Sequence, residues 1–110
     1  MSPHVERFLY LTTTGRVSGE PRTIEIWFVE SGGRYYVVAE RRESAQWVKN
    51  LERNAAVLFR VGTRDETDAP TPARARVVRE ADRIAEIAVL MNAKYGWSDG
   101  LVVEIVPSGH

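Results

Sequence analysis

Cysteine is absent from this 110-residue chain, which removes disulfides, thiolate nucleophiles and zinc–sulfur sites. Histidine is nearly absent, and the two present, His4 and His110, stand close to the ends of the sequence. Chain ends fray, so neither suits the role of general base or metal ligand. Ser-His-Asp chemistry goes with them, and no metal site is expected. No excess of either charge exists, since 15 basic and 15 acidic residues give a formal net charge of zero. Nucleic acid is therefore not expected as a partner, because phosphate contacts draw on a basic surplus. No apolar run approaches the ~18 residues of a membrane-spanning helix. Residues 1–7 lack the apolar segment of a secretory signal, so a cytoplasmic protein without an integral membrane segment is expected. Walker and Rossmann fingerprints are missing too. An enzyme so poor in acid–base groups leaves the chemistry to a cofactor and supplies position and electrostatics.

What is present reads as one globular domain over residues 1–110, with 44% hydrophobic and 27% charged residues. A chain of this length buries about two-thirds of its unfolded surface. Period-two alternation predicts strands over 8–13 and 23–30, the latter with Ile24, Ile26 and Phe28 on one face and Glu25, Trp27 and Val29 on the other. Ser31, Gly32 and Gly33 form a tight turn into a strand over 34–40. That strand is apolar on both faces from Tyr35 to Ala39, as in a strand covered on each side. From Ser44 the spacing turns helical through Trp47, Val48, Leu51 and Ala55, with Lys49, Asn50, Glu52 and Arg53 facing outward. Ser44 is the expected N-cap and Asn54 the expected left-handed stop. Strands follow over 57–61 and 73–79, around a polar loop that holds Asp65, Glu66 and Asp68 in solvent. A helix over 82–95 places Ile84, Ile87, Ala88, Met91 and Tyr95 on one face and ends at Gly96. A last strand covers 101–106. Six strands and two helices with few helical crossovers predict a mainly β, mostly antiparallel sheet closed into a small barrel.

The segment 11–22 holds most of the functional signal. Thr12, Thr13 and Thr14 lead into a loop with Gly15, Arg16, Val17, Ser18 and Gly19, and Pro21 and Arg22 lead out of it. Glycines let several N–H groups converge on one spot, and arginine forks suit phosphate or carboxylate. Thirteen of the fifteen basic residues are arginine, so anion sites here are expected to be bidentate. The same composition also describes an ordinary polar turn with solvated arginines. A second anion-holding candidate is Arg41-Arg42 beside a helix start; paired instead with Glu40 and Glu43, these arginines are only a solvated surface. Trp27, Trp47, Tyr95 and Trp97 are able to wall a flat ring, although Trp47 and Tyr95 also suit a core.

The run Thr12-Thr13-Thr14-Gly15-Arg16-x-Ser18-Gly19-x-Pro21-Arg22 resembles the signature of the deazaflavin-dependent nitroreductase and quinone-reductase family. Gly33-Arg34-Tyr35-Tyr36-Val37-Val38-Ala39 resembles its third strand. Gln46-Trp47-Val48-Lys49-Asn50-Leu51 with Asn54-Ala55-Ala56-Val57 resembles its helix-to-strand stretch, with alanine where proline is usual. The resemblance implies a six-stranded split β-barrel of the flavin-binding, pyridoxamine-phosphate-oxidase-like superfamily. It implies the deazaflavin coenzyme F420, held by Arg16, Ser18 and Arg22 on the phosphate and tail side. Gly19, the backbone at Val17 and Ala39, and Arg41 and Arg42 assist there, with Trp47 near the ring. Tyr95 and Trp97 match the family's aromatic substrate side, Trp27 is expected there as an aromatic wall, and the proton is expected from solvent or from a hydroxyl such as Tyr95. Val17 stands where many relatives carry lysine, and Arg41-Arg42 where many carry a Ser-Lys-Gly-type run.

The activity implied is hydride transfer from reduced F420 to an electron-poor small molecule: a quinone, enone or nitro compound. FMN on the same barrel, a non-catalytic flavin- or deazaflavin-binding protein and a plain structural module are the alternatives. Barrels of this superfamily commonly form homodimers, an expectation carried here by resemblance alone.

Overall fold

A computed structural model describes residues 7–108 of the chain, and His4 and His110 lie outside them. The strands are β1 (Phe8–Thr14), β2 (Pro21–Ile26), β3 (Val29–Ser31), β4 (Arg34–Ala39), β5 (Ala56–Gly62), β6 (Thr71–Val77) and β7 (Leu101–Pro107), with helices α1 (Gln46–Arg53) and α2 (Ala81–Tyr95). They form one seven-stranded sheet in the order β2-β1-β5-β6-β7-β4-β3, and each neighbouring pair is antiparallel. The two outermost strands, β2 and β3, are consecutive in the chain and separated by Trp27 and Phe28 alone. The sheet therefore curls until its edges approach each other, giving a mainly β split barrel with two helices. Six strands were expected and seven are present among the described residues. The run 23–30 is broken because β2 pairs with β1 and β3 with β4, at opposite ends of the sheet.

The barrel interior is filled by Leu9 and Leu11 of β1, Val57 and Phe59 of β5, Val37 of β4 and Ile105 of β7, and Val48 and Leu51 of α1 close it. On the other side of β4 and β7, Tyr36, Val38 and Val102 pack with Ile87 and Met91 of α2. The two-faced apolar pattern of 35–39 thus corresponds to a strand covered by the barrel core on one side and a helix on the other. Gly32 and Gly33 make the two-residue turn between β3 and β4 with φ of +61° and +78°, the left-handed pair that a hairpin of this length requires. Gly96 ends α2 in the left-handed conformation, φ +71°, as its position predicts. Among the described residues, no helix is long and apolar enough to cross a membrane.

The ends of α1 differ from expectation. Ser44 does not cap it: a short 3-10 turn spans Arg42–Ser44, the Ser44 hydroxyl donates to the Arg41 carbonyl, and Ala45 precedes the helix without a side-chain cap. Asn54 is extended (φ −141°, ψ 104°), not left-handed, because its Oδ1 accepts the Ala56 N–H at 3.1 Å and launches β5. Asn50, expected to face outward, is buried.

One glycine sets the spacing of β7 against the end of β4. A Cβ at Gly100 would lie 2.5 Å from the Ala39 carbonyl oxygen and 2.6 Å from Val38 Cγ1. Gly100→Ala is expected to cost about 1–3 kcal/mol through overpacking, read as a lower urea midpoint at unchanged slope. An unaltered midpoint would contradict this close approach.

Candidate functional site

A cavity of about 600 Å³ opens between β2 and the end of β4. Ile24, Ile26 and Trp27 line it from the β2 side, and Val38 and Ala39 from the end of β4. Arg41, Trp47 and Trp97 complete its walls. A second cavity, of about 520 Å³, lies under the β1–β2 loop and is lined by Gly15, Arg16, Val17, Ser18, Arg22 and Asn50. Ile24, Gln46 and Trp47 line both, so the two form one elongated groove along α1.

The loop is a closed ring of short contacts. Gly15 N–H donates to the Glu20 carbonyl and Gly19 N–H to the Gly15 carbonyl, each at 2.8 Å. Gly19 takes φ +75°, which only glycine adopts without strain. Gly15 is needed for space: a Cβ there would lie 2.9 Å from Ser18 Oγ. Ser18 Oγ accepts the Glu20 N–H at 3.2 Å, which leaves its own proton to donate outward.

Arg16 is held at the loop's base by the first helix. Its Nη1 donates to Asn50 Oδ1 at 3.0 Å and its Nη2 to Gln46 Oε1 at 2.7 Å. Asn50 Oδ1 also accepts the Arg16 backbone N–H at 3.2 Å, and its Nδ2 donates to Thr13 Oγ1 at 3.2 Å. Two of the five guanidinium N–H groups are thereby committed, and the rest are available to an anion. Among the described residues, Arg22 forms an ion pair only with Glu20, at 3.9 Å with both side chains well exposed, a contact that contributes little.

Not every expected residue converges on the groove. Arg16, Val17, Ser18, Arg22, Ala39, Arg41, Trp27, Trp47 and Trp97 line it. Gly19 acts through the loop's shape. Arg42, at φ +53°, turns away and pairs with Asp99 at 2.8 Å. Tyr95 stands behind the wall, its ring parallel to Trp27 at 4.4 Å. Its hydroxyl accepts the Phe28 N–H at 3.2 Å and donates to the Phe28 carbonyl at 3.0 Å. Two contributors escaped the sequence reading, Gln46 and Asn50, which hold Arg16. They stand four residues apart, a helical neighbour spacing that could have marked them as facing the same way.

Two carboxylates border the cavity, Glu25 and Glu40. Glu25 is bound by both arms of Arg64, at 2.9 and 3.2 Å, and by Tyr10 Oη at 2.6 Å. The Arg64 bonds, then that of Tyr10, hold its carboxyl below the usual glutamate range, so it is ionised and no proton reservoir at neutral pH. Among the described residues, no three His, Cys, Asp or Glu side chains converge as a metal site. Forked cations at one end and flat aromatic walls at the other fit a ligand with an anionic tail and a planar ring.

Residues 3–100 match the family described as F420H(2)-dependent quinone reductase. Among solved structures the chain is similar to HutZ, the heme storage protein from Vibrio cholerae, with a TM-score of 0.75 at 20% identity over 94% of this chain and 82% of that one. It is similar to a putative pyridoxamine 5'-phosphate oxidase from Listeria innocua, with a TM-score of 0.72 at 16% identity over 93% of this chain and 84% of that one. It is also similar to an F420-H2 dependent reductase, FDR-A, with a TM-score of 0.63 at 24% identity over 89% of this chain and 92% of that one. At these identities the likenesses establish the fold and nothing narrower.

Proposed function

We propose, from the premise that this chain belongs to the F420H(2)-dependent quinone reductase family, that its groove binds reduced F420 and an electron-poor acceptor side by side. The observation that carries this reading is the junction of the arginine-lined and aromatic-lined cavities at Ile24, Gln46 and Trp47. Arg16 and Arg22 hold the phosphate and carboxylate tail, and the Ser18 hydroxyl donates its free proton to the same anion. Arg16 is oriented in advance by Gln46 and Asn50, so little ordering is left to be done on binding. The Ala39 backbone and Trp47 flank the ring, with Arg41 beside them. Trp27 and Trp97 bound the acceptor side.

When bound, the reduced deazaflavin supplies a hydride to the acceptor. For a quinone, that hydride and one proton from solvent give the hydroquinone. The chain's part would be proximity: Trp47 and the Ala39 backbone on the ring side, and Trp27 and Trp97 on the acceptor side, would hold the two partners next to each other. No side chain at the groove is required as an acid, in keeping with the shortage of histidine.

Fluorescence titration tests the coenzyme assignment. F420 is expected to bind with a dissociation constant in the micromolar range or tighter, with FMN at least about tenfold weaker, because FMN offers the arginines one phosphate and no glutamate tail. Equal or reversed affinities would overturn the choice of F420. Turnover of reduced F420 with menadione separates a reductase from a protein that only holds the coenzyme.

A further inference from the structure

Phe28 lies in the break between β2 and β3, where neither strand's ladder reaches it. It is buried in the barrel core, and buried backbone polar groups need partners. Both of its groups are met by the last two residues of α2. Tyr95 Oη accepts the Phe28 N–H at 3.2 Å and donates to the Phe28 carbonyl at 3.0 Å. Lys94 Nζ donates to that carbonyl at 2.9 Å and sits 3.9 Å from the centre of the Phe28 ring. The same Tyr95 ring stacks on Trp27, with 2° between the planes, and Trp97 meets Trp27 edge-on at 6.3 Å. Trp27 and Trp97 line the cavity, whereas Tyr95 does not.

A tyrosine hydroxyl has one hydrogen, and here it is committed to the Phe28 carbonyl. Donating it to an acceptor would break one of the three bonds that hold the strand break in place. We propose that Tyr95, backed by Lys94, is a positioning residue that fixes Trp27 as the acceptor-side wall, and that it is not the reaction's proton donor. The inference rests on reading the groove as an F420-dependent reductase site.

Tyr95→Phe separates the roles, since it keeps the stacked ring and removes both hydroxyl bonds. With reduced F420 and menadione, KM for menadione is expected to rise about tenfold, the order of a lost hydrogen bond or two. The kcat should stay within about twofold, with the shape of its pH profile unchanged. Lys94→Met should raise KM by a similar or smaller factor, and Tyr95→Leu, which also removes the stack, by more. A readout independent of turnover is menadione quenching of tryptophan fluorescence in the F420-free protein, whose midpoint should shift by the same factor in Tyr95→Phe. A kcat lost a hundredfold at unchanged KM, with one limb of the pH profile gone, would identify a proton donor and overturn the inference. So would unchanged KM and quenching in all three variants. Failure of F420 to bind the wild type instead sinks the reading of the groove, and the quenching experiment still decides the role of Tyr95.

Discussion

Arg16→Ala is expected to weaken F420 binding about 10- to 100-fold while leaving thermal stability nearly unchanged. A hydrogen bond to a charged partner contributes about 1.5–3 kcal/mol, and 1.4 kcal/mol is a factor of about ten in affinity. Arg16 reaches that upper range because its fork is already oriented by Gln46 at 2.7 Å and Asn50 at 3.0 Å. Arg16→Lys keeps the charge but cannot span two acceptors with a planar fork, so it should recover only part of the loss. Arg22→Ala should cost less, because that side chain is 62% exposed with Glu20 at 3.9 Å and salt screens it. Val17→Ala should have no effect, since that side chain is 92% exposed. Titration at two ionic strengths checks the ranking, and an Arg16→Ala affinity equal to wild type would remove the loop from the binding site.

Glu104→Ala is expected to destabilise the fold by about 2–4 kcal/mol. Glu104 is 2% exposed on β7, where it accepts Tyr36 Oη at 2.8 Å, Arg76 Nε at 2.9 Å and Arg34 Nη1 at 3.2 Å. Burial by itself pushes its carboxyl up, but the bonds from Tyr36, Arg76 and Arg34 outweigh burial and leave it below the usual glutamate value. Removing the acceptor leaves the buried Tyr36 hydroxyl without its partner and takes one carboxylate from Arg34 and Arg76, of which Arg76 keeps Glu80 at 3.1 Å; breaking such a buried pair is costly. Both arginines are about half exposed, which moderates the loss. The sign with pH follows from the lowered value. The contribution is complete above the unfolded glutamate value and disappears as pH falls through that value to the folded one. Urea midpoints from pH 7 to pH 3 should therefore fall less steeply for Glu104→Gln than for wild type. Parallel slopes would show that Glu104 is not part of the acid response.

That Arg16 and Arg22 line a cavity with Gly15 was legible because their types and the glycines around them are local information. Gly19 in the left-handed region and Gly15 at a close approach are what such a loop needs. Arg42 shows where that stops. Side by side with Arg41 it reads as a second cation for the same anion, yet a positive φ turns its guanidinium to Asp99. Trp27 reads as one more residue of a continuous strand. It is the last before a break, and the break is created by strand partners at opposite ends of the sheet.

The sequence by itself determined both helices, most of the strands, the Gly32-Gly33 turn and the two-sided burial of β4. Each follows from spacings of two to four residues and from the conformational range of individual residue types. Tertiary structure alone decided that Asn50 is buried beneath Arg16, that Arg42 leaves the groove and that the Tyr95 hydroxyl is spent on Phe28. Those partners lie 34, 57 and 67 residues apart. A polar side chain's partner is set by which backbone the sheet's closure brings within 3 Å or so of it, and no local pattern encodes that distance.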